Sequence, residues 1–228
     1  MKRVSHRVLR SQAEETEARA RANKRLRQVV LTHYELVDEH QGRLLNAADA
    51  SHKPSCTKGC AHCCYFIVYV EAAEAQAVVD LYPKEVERAL PQLRRQQARL
   101  QMVTTRADRD AVTMRGDQDA LKRVAAAYTD LHEPCGLLDP ITNECTIYDV
   151  RPNPCRTYFV VSPSEQCAVK HGGALVMDVG GTRTMGHHAL LNEVAKVRGG
   201  HLRMGTFADT LLDAWEQRAK DKAGKDLK

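Results

Sequence analysis

All eight cysteines of this 228-residue chain fall into two groups, with none elsewhere. The segment "SCTKGCAHCC" puts Cys56, Cys60, Cys63 and Cys64 into nine residues, two of them adjacent. Cys135, Cys145, Cys155 and Cys167 follow at longer gaps. Such concentration has three explanations: disulfides, a metal or a reactive nucleophile. Adjacent cysteines rarely bond to each other, because a disulfide needs its Cα atoms several Å apart. Eight cysteines in a chain of this length is also far from the density of a secreted disulfide scaffold.

Composition narrows the compartment and the class. Hydrophobic residues make up 43% and charged residues 28%, so a buried core is within reach. Aromatics are only 5%, which points to an aliphatic, alanine-rich, helical core. No run approaches the roughly 18 apolar residues of a membrane span. The start, "MKRVSHRVLRSQAEE", has positive charge but no apolar core of a secretory signal. The expectation is a cytoplasmic protein with no membrane association. The net charge of +5 is uneven: residues 1–28 hold nine Lys/Arg against three Glu. This basic arm offers a surface to a protein partner or a nucleic acid. It has no interleaved aromatics and no nucleic-acid-binding motif, so a solvated helix face is the preferred reading.

The pattern along the chain is mainly helical. Residues 12–48 lack Pro and read as one long helix with Leu26, Val30, His33, Val37, His40 and Leu44 on one face. "YFIVYV", residues 65–70, has the composition of a strand. "EAAEAQAVVDLY" reads as a helix, and Pro83 starts another that Pro91 should kink or split. "TTRADRDAVTMRGD" reads as a polar connection. A further helix follows with Asp117 as its N-cap. "CGLL" and "CTIY" suggest two short strands about the turn "DPITNE". Pro152 and Pro154 exclude a regular helix through "RPNPC", and "GALVMDVGG" suggests one more strand. "TMGHHALLNEVAKVRG" and "TFADTLLDAWEQRAK" read as closing helices before a frayed "DKAGKDLK". The expected organisation is a basic helical extension over 1–49, a cysteine-cluster metal-binding domain over 50–215 and a flexible tail over 216–228. The fold class is mainly α with a small irregular β-hairpin insert bearing cysteines, an α+β single domain stapled by metal.

Thiolates are soft ligands that suit zinc, Cu(I) and iron–sulfur clusters. The spacing Cys56-x3-Cys60-x2-Cys63-Cys64 lets a loop present several of them to one centre. Cys63 and Cys64 point differently, so they need not close the same site. Two four-ligand sites, or one cluster with a second site, both remain open on this reading. "CTKGCAHCC" followed by "CGLLDPITNECTIYDVRPNPCRTY" resembles the YkgJ-like cysteine-cluster family, a zinc- or iron-chelating domain. The resemblance rests on Cys56, Cys60, Cys63, Cys64, Cys135, Cys145, Tyr148, Arg151, Pro152, Cys155 and Arg156, with Cys167 as a trailing cysteine, and spans 55 to 167. It implies a bound metal or iron–sulfur centre with the eight cysteines as ligands. A related domain occurs in flagellin lysine methylases, so catalysis is compatible with it. An iron–sulfur cluster is the first expectation and zinc the second. Arg151, Arg156 and Lys58 are close enough in sequence to tune a cluster from around its ligands, although a salt bridge or carbonyl cap would account for them as well.

Three rivals lose ground. Cys-x3-Cys-x2-Cys is also the radical-SAM spacing, but residues 71–132 read as helical, without the required βα units. A cysteine nucleophile would need a histidine, and His62, His187, His188, His52 and His171 read more simply as loop or helix residues. A nucleic-acid-binding zinc protein fits the basic arm, but the cysteine insert is not rich in Lys/Arg. Two functions therefore remain: a redox or catalytic centre, or a structural metal in a protein or nucleic-acid interaction module.

Overall fold

The computed structural model describes residues 6–49, 53–57, 59–168, 174–177 and 187–226, with side chains from residue 17 to 223. The elements run α1 (His6–Ala47), β1 (Tyr69–Glu71), α2 (Ala72–Leu81), α3 (Pro83–Val103), α4 (Arg106–Arg115), α5 (Gln118–Thr129), α6 (Asn153–Arg156), β2 (Phe159–Val160), β3 (Val176–Met177), α7 (His187–Val197), β4 (Met204–Thr206) and α8 (Phe207–Asp226). The fold is mainly α with small antiparallel β pairs, as the sequence implies.

α2 is the hub. Ala73, Ala75, Ala77, Val78 and Val79 are all buried, and these small side chains let α1, α3 and α8 approach closely. Its start is held by a reciprocal cap: Glu71 accepts from the Ala73 N–H, and Glu74 accepts from the Glu71 N–H. α1 lies across α2 and α7 through Leu26, Val30 and Tyr34, which pack with Ala73, Ala77, Leu190 and Val194. The buried stripe of α1 runs Leu26, Val30, Tyr34, Val37 and Gln41, so Tyr34 and Gln41 take the places expected for His33 and His40. The 3.6-residue turn favours steps of four, four, three and four here.

The local departures from the sequence reading have local causes. Residues 106–115 form α4 rather than a connection. Thr105 caps it by accepting from the Asp108 N–H at 3.1 Å, and Gly116 ends it in the left-handed region at φ 62°. α3 runs through Pro91 unsplit, because Pro91 sits on the exposed side, where the carbonyl it leaves unpaired faces water. Asn153–Arg156 makes one helical turn despite the two prolines, with Pro152 as N-cap and Pro154 in the first turn, where no N–H is needed. Of "YFIVYV" only Tyr69 and Val70 join a strand, and His62–Tyr65 is a 3-10 turn. β1 instead pairs with β4, matching Tyr69 to Thr206 and Glu71 to Met204. The hairpin at 135–148 reduces to one bridge, Leu138 to Cys145, closed by Asp139, whose Oδ1 accepts from the Ile141 and Thr142 N–H groups. α8 continues to Asp226, past the point where a tail was expected. Arg218 pairs with Asp80 at 3.7 Å and Asp221 with Arg19 at 3.5 Å.

One buried carboxylate joins three of these elements. Glu74 is fully buried and accepts from the Tyr34 hydroxyl on α1 at 2.8 Å and from the Asn153 N–H of α6 at 2.7 Å, besides its cap bond. Burial pushes its carboxyl pKa up, against the pull of these donors. Glu74→Ala should cost about 3 kcal/mol, because it leaves the Tyr34 and Asn153 donors buried and unpaired. Glu74→Gln should lose less, and urea denaturation of the two variants measures the difference.

Candidate metal centre

The cysteines are positioned by several local devices. Ser55 anchors the first loop, its N–H donating to the Val160 carbonyl at 2.9 Å and its hydroxyl to the Ser162 carbonyl. The Cys60 N–H bonds the Thr57 carbonyl, and the 3-10 turn then presents Cys63 and Cys64 side by side. The Cys135 N–H donates to the Cys64 carbonyl at 2.8 Å, joining the two cysteine groups directly. Gly136 lets this segment close on α3, where an added Cβ would stand 3.1 Å from Leu93. Cys155 sits in the single turn of α6, and Cys167 in a 3-10 turn, Ser164–Ala168, that packs on the Cys63–Cys64 turn.

All eight thiols are free and line one cavity of about 390 Å³. Among the described residues no three His, Cys, Asp or Glu side chains are already gathered in an arrangement that holds a single ion. The thiols influence one another in two sets that meet at the adjacent pair. Cys167 feels Cys56, Cys60 and Cys63, whereas Cys64 feels Cys63, Cys135 and Cys155, and Cys155 feels Cys135, Cys63 and Cys145. Burial pushes most of them up: Cys135 to about 12, and Cys145, Cys155, Cys56 and Cys167 upward. Cys63 departs from this trend. A hydrogen bond from Cys64 lowers it to about 7 against the cost of burial, with help from the nearby Arg151 charge. Cys64, the donor of that bond, is correspondingly raised. The donor set fits a thiolate-bound metal, since a cation would take the place of the protons that most of these partly buried thiols otherwise keep.

The structure separates the two arginines read from the sequence. Arg151 lines the cavity, lies over the Tyr148 ring at 4.0 Å and acts on Cys63, Cys145 and Cys155. Arg156 is not on the cavity wall. It is buried against Tyr34, with its guanidinium 4.4 Å from the ring centroid, and bonds Asp38 and the Asp149 carbonyl. It thus makes the salt bridge and carbonyl cap that stood beside the tuning role as an equal account of it. Lys58, His52 and His171 lie outside the described residues. His62 lines the cavity, whereas His187 and His188 start α7 away from it. The sequence reading missed Gln96 and Tyr128, which line the same cavity from α3 and α5. A signal was present: Gln96 follows Val86, Ala89 and Leu93 and precedes Leu100 on one buried helical stripe.

The fold and its thiol-lined cavity define a cysteine-cluster metal-binding domain. The chain belongs to the CxxCxxCC family, described as "Putative zinc- or iron-chelating domain", whose profile matches residues 55–172. No curated protein and no solved structure matches the chain. Among the described residues no helix is long and apolar enough to cross a membrane.

Two measurements follow from these electrostatics. In metal-free protein, Arg151→Gln should raise the Cys63 pKa and slow its alkylation at pH 7 by roughly three- to tenfold, read by mass spectrometry. His33 and His187 are held below the usual value, by burial first and then by neighbouring positive charge. Unfolded imidazoles therefore take up protons below about pH 6.5 while the folded ones resist, so stability falls as pH drops through that point. A His33→Gln, His187→Gln double variant should show a flatter decline between pH 7.5 and 5.5 in urea denaturation.

Proposed function

We propose that the protein carries an iron–sulfur centre held by Cys56, Cys60, Cys63, Cys64, Cys135, Cys145, Cys155 and Cys167, with a redox role. The observation that carries this is the convergence of all eight thiols on one cavity beside the Arg151 cation. An all-thiolate set accumulates negative charge, and a positive neighbour offsets it and shifts the reduction potential. Two ligand groups are favoured, Cys56, Cys60 and Cys167 on one side and Cys135, Cys145 and Cys155 on the other, with the Cys63–Cys64 pair between them and Cys63 acting on members of both. Bound there, a cluster supplies one-electron transfer. The chain's own contribution is to orient the thiols, limit the access of water to them and place Arg151 beside them. A reducing compartment, the cytoplasm, keeps such thiols free of disulfides.

Structural zinc is the second reading. It has the same donors in its favour, and the exposed Arg21, Lys24 and Arg25 of α1 would then serve a partner protein or nucleic acid. Anaerobic purification with metal and acid-labile sulfide analysis decides between them. Iron, sulfide and a broad band near about 400 nm are expected; colourless stoichiometric zinc overturns the redox reading. Cys60→Ser and Cys155→Ser should each lose about half of the bound metal and some stability. Loss of all metal in either variant would instead mean a single shared centre.

A further inference from the structure

The cavity is larger than its thiol end. Beyond the cysteines it runs between α3, α5 and the β4–α8 junction, walled by Ile67, Leu100, Leu137 and Phe207. No cysteine lies on α3, α5 or α8, so this wall contributes nothing to metal ligation. Its lining is mostly apolar, and the cavity falls in the roughly 300–1,000 Å³ range of small-molecule sites.

Four polar residues interrupt that wall, but Gln97 and Thr206 turn their polar groups to Asp209, at 2.7 Å each, which leaves Gln96 and Tyr128. Gln96 is only 5% exposed, and its Nε2 donates to the Pro134 carbonyl at 2.8 Å and the Tyr128 hydroxyl at 2.7 Å. A carbonyl can only accept, so the Pro134 bond fixes which end of the amide carries nitrogen. Both amide protons are thereby used. Oε1 takes no hydrogen bond among the described residues, yet it is not one of the fold's sealed polar atoms, so it opens into the cavity that Gln96 lines. The Tyr128 oxygen accepts from Gln96, and its own proton has no acceptor among the described residues. An acceptor and a donor thus stand together in an apolar wall without a charged side chain. Tyr128 also lies within electrostatic reach of Cys135, which places this pair next to the thiols.

We propose that this chamber binds a small, mostly apolar organic molecule bearing one neutral hydroxyl, held beside the metal centre. The hydroxyl donates to Gln96 Oε1 and accepts from the Tyr128 O–H, and the apolar body lies along Leu100 and Phe207. Absence of charge on this wall selects against carboxylates and amines, which would be buried unpaired. The proposal deepens the metal-centre reading and rests on it only for the identity of the neighbour.

The test is a ligand-detected NMR titration of the full, metal-loaded chain with benzyl alcohol and with toluene, its counterpart lacking the hydroxyl. Benzyl alcohol should bind saturably and roughly tenfold tighter than toluene. Gln96→Met should shrink that preference to about twofold or less at unchanged metal content. Ala208→Phe, on another element of the wall, should weaken both probes by filling the chamber. Equal affinity for the two probes, no saturable binding, or affinities untouched in both variants would overturn the proposal. Metal content measured on the same samples separates the two ideas: a chain without metal fails the metal reading, and a metal-loaded chain indifferent to benzyl alcohol fails this one.

Discussion

The fold turns on the burial of Glu74. A carboxylate taken out of water needs several donors, and this one finds them on α1, at its own helix start and at the first turn of α6. The last of these matters most for function, because α6 is a single turn carrying Cys155. A turn that short has no stability of its own. Its position comes from the Asn153 N–H bonded to Glu74 and from Arg156, whose guanidinium bridges Asp38 and the Asp149 carbonyl. Glu71, the other half of the α2 cap, is equally buried and pairs with Arg198, so the same helix start also holds the end of α7. The helical body thereby fixes a thiol that the cysteine insert could not fix by itself.

At the cavity, burial and mutual repulsion act together. Both oppose ionisation of Cys56, Cys64, Cys135, Cys145, Cys155 and Cys167, whereas a neighbouring thiol and Arg151 favour the ionised form of Cys63. Metal binding and proton release are consequently the same event here. Arg151 is suited to assist because its charge is permanent and its planar head rests on Tyr148.

The cysteine pattern was legible because ligand chemistry demands a residue type, and the type is visible in a sequence. The long α1 and the Asp117 cap were legible for a similar reason: helical period and capping are local rules. What escaped notice was decided by neighbours. The turn of α6 forms through Glu74, a residue far away in sequence. β4 was not anticipated, since its partner β1 lies on the far side of the cysteine insert. α4 was misread because its polar sequence hides a capped helix that needs α5 and Arg123, paired with Asp108 at 2.6 Å, to stay in place. Arg151 and Arg156 look alike in "RPNPCR", and only the direction of one helical turn sends the first to the thiols and the second to Tyr34.

The pairing of β1 with β4 has a consequence for the order of assembly. The cavity draws its wall from Cys56, just after α1, and from Thr206, Phe207 and Ala208 at the start of the last helix. A chain made from its N-terminus therefore presents both cysteine groups before α8 exists to enclose them. The strand and helix that follow complete the wall around cysteines already in place. A protein truncated before β4 would keep all eight cysteines and still lack this part of the cavity wall.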